Sequence, residues 1–341
     1  MTVWKKLLPM ILAFILVGVV WVIYSSYYKS PEALVVYCAH DAIYSDQVLD
    51  IFTEKTGIEV IRKNDTEATK SLGLVELLVR EKSAPRCDVF WNNELLGMIQ
   101  LQEEGVLEPW KGSGYQRIPD KYKDPSGDWT GFAARARVYI QHVVAGKPLP
   151  PPLSVLGGSD LSRTAIAKPL YGTTLTHYAA LWARWGKEAT QKWHLDCRNK
   201  GMREVNGNSV TKELVANGVC DLGFTDTDDF FGAKDAGADV TMTPVRLSDG
   251  ETICIPNTVA VIRGTRHRKA ARQLVDFLLS EESELALARS ASRQIPLGSV
   301  EPGALPADVS AMVPWLEDGI PLNELSAART ECLAWLKSLG D

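Results

Sequence analysis

The chain has 341 residues, 45% of them hydrophobic, and a formal net charge of −5. Lys5, Lys6 and Lys29 are the only charged residues among the first thirty, which leaves −8 on the rest. A body this acidic repels phosphate backbones and speaks against a nucleic-acid partner.

In chain order, the first element is an apolar run from Leu7 to Tyr24, interrupted by Pro9 and Gly18. As a helix it rises about 27 Å, close to the roughly 30 Å hydrocarbon core of a bilayer. Ser25-Ser26-Tyr27-Tyr28 makes a poor cleavage site, and no cysteine there offers a point for lipidation. Residues 1–30 are therefore expected to form an uncleaved membrane anchor, with a removed signal peptide as the other reading. The flanking lysines hold the N-terminus in the cytoplasm, so the body faces the periplasmic side of the inner membrane. About 310 residues then remain, enough for two lobes.

Leu34 to Tyr37 reads as a buried strand, and Val48, Ile51 and Phe52 lie at helical spacing before Gly57. Ile58 to Ile61 returns to strand, Leu72 to Val79 to helix, Val89 to Trp91 to strand, and Leu95 to Leu101 to helix before Gly105. This βαβα order predicts a parallel sheet with helices on both faces. A polar loop over Lys111 to Asp128 precedes a long strand over Phe132 to Ile140. A second alternation runs from Ala165 to Thr225, with helices over Thr174–Trp185 and Ser209–Asn217. Thr258 to Ile262 is strand and Lys269 to Leu279 a strong helix. The six cysteines show no C-x-x-C spacing and no zinc pattern. Export permits a Cys197–Cys220 disulfide, and buried free thiols are the competing reading.

Five stretches in a fixed order carry a family resemblance: Phe52-x-x-x-Thr-Gly-Ile58, Asp88-Val-Phe-Trp91, Trp129-x-Gly-Phe-x-x-Arg-x-Arg137, Asn257-Thr-Val-Ala-Val-Ile262, and Val-Val-Tyr near the start. Over roughly Leu34 to Ala291 the chain resembles the periplasmic iron- and thiamine-type solute-binding proteins of ABC importers. The resemblance implies an α/β type II periplasmic-binding fold, two lobes joined by two crossover strands. Residues 33–133 plus about 260–341 would form one lobe and 134–256 the other, with the tail from Pro302 left unassigned. It also implies a ligand in the interlobe cleft, an ABC permease as partner, a monomer, and no cofactor beyond a metal ion carried as ligand. Ferric-binding relatives hold iron with adjacent tyrosines on the second lobe. The matching place reads Asp226-Thr-Asp-Asp-Phe-Phe231, and phenyl groups cannot ligate.

Ligands of open α/β sheets sit beyond the carboxyl ends of strands, which selects five polar loops. Asp41 and Tyr44 would face solute, with helix capping by Asp41 as the alternative. Asp65 and Glu67 form a second candidate. Asn92, Asn93 and Glu94 follow the strand ending in Trp91, where two amides and a carboxylate can fix a polar ligand or cap a helix. Gly172, Thr173 and Thr174 open a helix suited to an anion, and Asn208 opens the next. Asp226 and Asp228, beside Asp229, repel one another unless a cation or donor compensates. Arg135, two residues from Arg137 on the presumed crossover strand, could supply that compensation. Glu94, Asp226 and Asp228 are the candidate metal ligands, and the density of carboxylates predicts a positively charged ligand.

Enzyme motifs are missing: there is no G-x-S-x-G, H-E-x-x-H, G-x-G-x-x-G or P-loop. A hydrolase-like activity on the same two-lobe fold is the alternative to solute capture.

Overall fold

The computed structural model describes residues 33–65 and 72–340. The expected anchor over residues 1–30 and the candidate Glu67 lie outside them. Among the described residues no helix is long and apolar enough to cross a membrane.

The first half builds as the hydrophobic periods predict. Strand β1 (Leu34–Cys38), helix α1 (Ala42–Thr56), β2 (Val60–Asn64), α2 (Leu72–Arg80), β3 (Val89–Asn92) and α3 (Leu96–Glu103) follow in order. α1 ends on Gly57, whose φ of 69° supplies the left-handed C-cap. β1 pairs in parallel with β2 on one side and β3 on the other. β2 begins two residues later than Ile58. It is an edge strand carrying Arg62 and Lys63, so pairing with β1, which sets Leu34 opposite Val60, decides its start rather than hydrophobic alternation.

The expected loop over Lys111 to Asp128 holds a short helix α4 (Ser113–Arg117), reached through the two-residue β4 (Leu107–Glu108). Strand β5 (Thr130–His142) is the long element foreseen at Phe132–Ile140. Next come α5 (Pro152–Leu156), β6 (Thr164–Ala167), α6 (Gly172–Trp185), α7 (Lys187–Asn199), β7 (Arg203–Val205), α8 (Asn208–Ala216), β8 (Leu222–Asp226), α9 (Thr227–Asp235) and β9 (Val240–Pro244). α7 went unanticipated because its buried stripe is Thr190, His194 and Cys197, which carries no apolar signal. β10 (Cys254–Ile262), α10 (Arg268–Leu278), α11 (Glu281–Arg289), α12 (Ala307–Glu317) and α13 (Ser326–Ser338) complete the order.

The strands run β2-β1-β3-β10-β5-β8-β6-β7, with β4 beside β10 and β9 beside β5. β5 ties the two halves together. Residues up to Ala136 pair antiparallel with β10, and from Arg137 onward β5 pairs with β8 and β9. β10 in turn pairs antiparallel with β3. β5 thus runs through the sheets of two α/β lobes, each with helices packed on it, while the expected second crossover strand, β10, pairs only within the first of these sheets.

The tail divides. α12 lies along the start of β10, where the Trp315 carbonyl accepts from Thr252 Oγ1 at 2.5 Å and Cys254 Sγ at 3.2 Å. α13 packs on α6 through Trp182 and Trp335, whose rings are 5.8 Å apart. Cys197 and Cys220 are not bridged; all six cysteines are free and buried, which is the thiol reading.

Candidate functional site

A cleft of about 240 Å3 opens between the lobes. Ten of the sequence candidates line it: Asp41, Tyr44, Asn93, Arg135, Gly172, Thr173, Thr174, Asn208, Asp226 and Asp228. They come from the β1–α1 and β3–α3 junctions of one lobe, from β5, and from the starts of α6, α8 and α9 in the other. Each junction follows the carboxyl end of a strand, which is why residues nearly 190 positions apart meet here.

The centre of the site is a buried ion-pair network. Arg137 and Asp226 are direct cross-strand partners on β5 and β8. Arg137 Nη1 donates to Asp226 Oδ1 at 2.8 Å, and Arg135 Nε reaches Oδ2 at 3.4 Å. Thr173 Oγ1 donates to Oδ2 at 2.6 Å, and Asn208 Nδ2 donates to the same oxygen at 3.0 Å. Asn208 Oδ1 accepts from Thr174 Oγ1 at 3.2 Å. Burial pulls the Asp226 carboxyl up, but the guanidinium groups of Arg137 and Arg135 with the Thr173 hydroxyl hold it below the usual range. Removing Arg137 alone would take the 2.8 Å ion-pair partner from a buried carboxylate still held by Arg135, Thr173 and Asn208, and breaking a buried pair costs about 3–5 kcal/mol where nothing compensates.

Asp228 stands differently. Its carboxylate lies 3.9 Å from Arg135 Nε, too far for a hydrogen bond. Burial pushes it up to about 7; Arg135 opposes the rise, and Asp229, Asp226 and Asp41 add to it. Asp229 Oδ2 accepts from Thr225 Oγ1 at 2.7 Å. Asp226, Asp228 and Asp229 each offer an oxygen within 4.8 Å of the others, a spacing that can hold a cation. Asp41 occupies the N-cap position of α1 but its side chain makes no cap hydrogen bond.

Three candidates stand elsewhere. Glu94 is turned onto its own helix, where its carboxylate accepts from Leu96 N at 2.5 Å, Gly97 N at 2.8 Å and Asn92 Nδ2 at 3.0 Å. The free N–H groups of a helix start compete for any acid two residues upstream, and here they win. Asn92 goes with it, so neither lines the cleft and Glu94 is not brought to the acidic cluster. Asp65 does not line the cleft either; its Oδ2 accepts from Leu74 N at 3.3 Å.

The cleft also contains Ile43, Ala167 and Lys212, which the sequence reading passed over. Ala167 ends β6, so the strand-end rule would have found it. Lys212 lies four residues after Asn208 on α8, one helical turn along the same face. Tyr171, Gly207, Ser209 and Asp229 flank the candidates and line the cleft with them.

Chemically, the arrangement brings carboxylates, two helix starts and two cationic side chains, Arg135 and Lys212, into one cleft. The chain is 26% identical over 260 residues to iron uptake protein A1 of Synechocystis, spanning 70% of this chain and 69% of that one. The iron-bound HitA of Pseudomonas aeruginosa superposes with a TM-score of 0.77 at 22% identity, covering 91% of this chain and 100% of that one. AfuA of Actinobacillus pleuropneumoniae, with fructose-6-phosphate bound, superposes at 0.74 and 17% identity, covering 89% and 97%. The fold is thus the α/β periplasmic-binding-protein fold. Residues 34–290 match the family model described as bacterial extracellular solute-binding protein, and the chain belongs to that family.

Proposed function

We propose that this protein is the extracytoplasmic solute-binding component of an ABC importer, which captures a small ligand between its lobes and delivers it to the permease. The observation that carries the reading is the interlobe cleft itself, lined mainly by polar and charged residues and built from strand ends of both lobes. The ligand has a positively charged centre. Asp41, Asp228 and Asp229 converge on one space, and closing over these carboxylates without a cation costs each its hydration. Ferric iron, as in the relatives named for it, another metal, an anion-escorted metal and a cationic organic solute all meet this condition. The crossover strand β5 provides the hinge for closure.

Small-angle scattering with and without ligand tests the mechanism: contraction at saturation is expected, and unchanged dimensions count against a clamp. Conversion of the ligand into a product would instead mark an enzyme. The monomer is proposed to stay on the periplasmic side of the inner membrane through residues 1–30. Fractionation of tagged cells should find it with the membrane; a soluble periplasmic form shortened by about 25–30 residues would mean that the segment is removed.

A further inference from the structure

The cleft carries cationic donors and carboxylates together. Arg135 is 3% exposed and lines the cleft. Its Nε is turned to Asp226, and its Nη2 donates to the Asn93 carbonyl at 2.7 Å. Nη1 has no partner among the described residues. A buried guanidinium donor left unpaired is unfavourable, so this position calls for an acceptor. The starts of α6 and α8 border the same space through Gly172, Thr174 and Asn208. Neither helix has a side-chain cap hydrogen bond at its N-cap residue, Tyr171 or Gly207, and their first N–H groups have no acceptor within the helix. A Cβ at Gly172 would meet nothing within 4 Å, so that backbone is open to close approach. Lys212, half-buried on α8, adds a second cation.

The acids of the cleft are weak partners for a multivalent ion. Asp226 already accepts from Arg137, Thr173 and Asn208, and it faces Arg135 as well. Asp228 shares the guanidinium of Arg135 at 3.9 Å, and Asp229 accepts from Thr225. A di- or trivalent metal bound to these acids would face the fixed positive charge of Arg135, whereas a monovalent ammonium can hydrogen-bond to the same oxygens with far less repulsion. Size narrows the choice further. A cleft of about 240 Å3 admits a small organic solute.

We infer that the solute is one small organic zwitterion. Its oxyanion end, phosphate or carboxylate, sits between Arg135, Lys212 and the starts of α6 and α8, and its amine faces Asp41, Asp228 and Asp229. The inference rests on the capture function proposed above and narrows its ligand.

Calorimetry on the full chain near neutral pH tests it with phosphoethanolamine, β-alanine, inorganic phosphate, ethanolamine and ferric citrate. At least one of the two zwitterions binds about a hundredfold tighter than inorganic phosphate or ethanolamine, because only the joined molecule engages both ends. Lys212→Ala weakens that binding about tenfold, and Lys212→Arg restores most of it. Lys212 is half-buried and outside the central ion-pair network, so both variants keep the fold. Failure of both zwitterions, or a single half binding as tightly as the joined molecule, overturns the inference. Closure on ferric citrate alone, read by scattering, also overturns it and leaves solute capture standing. A cleft that closes on no probe and carries no co-purifying small molecule overturns capture itself.

Discussion

Asp228 and Asp226 are two residues apart, both buried, and pushed in opposite directions. Asp226 has Arg137 as its cross-strand neighbour and a carboxylate surrounded by donors; Asp228 has a guanidinium beyond hydrogen-bond reach and three acids around it. A carboxyl held up near 7 binds its proton more tightly in the native chain than in the unfolded one, where it titrates near 4. Its contribution to stability is therefore present at low pH and lost as pH climbs from about 4 to about 7. Buried histidines work against it in the same window. His194 is depressed to about 4 by burial and then Arg198, and His177 lies well below its ordinary value through burial and then Arg137. Both make the native state less stable as pH falls. The Asp228 contribution is thus read by difference. Asp228→Asn should gain about 2–4 kcal/mol relative to wild type as pH is raised from 4 to 7.5 in denaturant titrations. A constant difference across that range would show that Asp228 is ionised throughout.

At the scale of elements, the passage of β5 between the lobes depends on one helix. Ala133 has a φ of 40°, a left-handed conformation in the middle of a strand, opposite a register shift between Pro256 and Asn257 in β10. Glu284 of α11 is fully buried behind it. Its carboxylate accepts from Ala133 N at 2.8 Å, Leu297 N at 2.8 Å and Gly298 N at 3.1 Å, and pairs with Arg117. Asn257 completes the support, accepting from Trp91 Nε1 at 3.2 Å and donating to Gln294 Oε1 at 2.7 Å. Glu284→Leu leaves three buried N–H groups and one guanidinium without their acceptor. Urea unfolding should register a loss of about 3–5 kcal/mol. A loss below about 1 kcal/mol would mean that the bulge holds without this carboxylate.

Across the whole molecule, α13 bridges α6 of one lobe and α3 of the other. It packs on α6 through Trp335 and Trp182, and Trp182 Nε1 donates to Glu331 at 3.3 Å. On the other side Arg329 Nη2 donates to Gln100 Oε1, and Ser326 Oγ to Glu103 Oε1, each at 3.2 Å and both on α3. Hydrogen bonds of this kind contribute about 0.5–1.5 kcal/mol each, enough together to move a two-state opening about tenfold. Arg329→Ala combined with Ser326→Ala should enlarge the ligand-free protein in scattering and weaken ligand binding several-fold. Unchanged dimensions and affinity would show that α13 rides on α6 alone.

The sequence by itself determined the alternation of strands and helices, the break at Gly57, the long strand at Phe132–Ile140 and the family of the fold. Each of these is written in local hydrophobic period and turn chemistry, or in motifs whose order survives folding. It also selected the strand-end loops, and nine of the candidate residues on them, with Arg135 from β5, do line the cleft. Which acid on a loop faces solute was decided by tertiary structure. Glu94 and Asp228 both stand where a strand gives way to a helix and both accept from their own helix start, yet Glu94 is turned away from the cleft while Asp228 lines it and faces Arg135 from β5. The difference is energetic and non-local: a carboxylate goes to the nearest donors left unpaired, and those depend on strands paired from opposite parts of the chain. Lys212 entered the site the same way, through the docking of α8 against β6 and β8, which no letter within its own helix records.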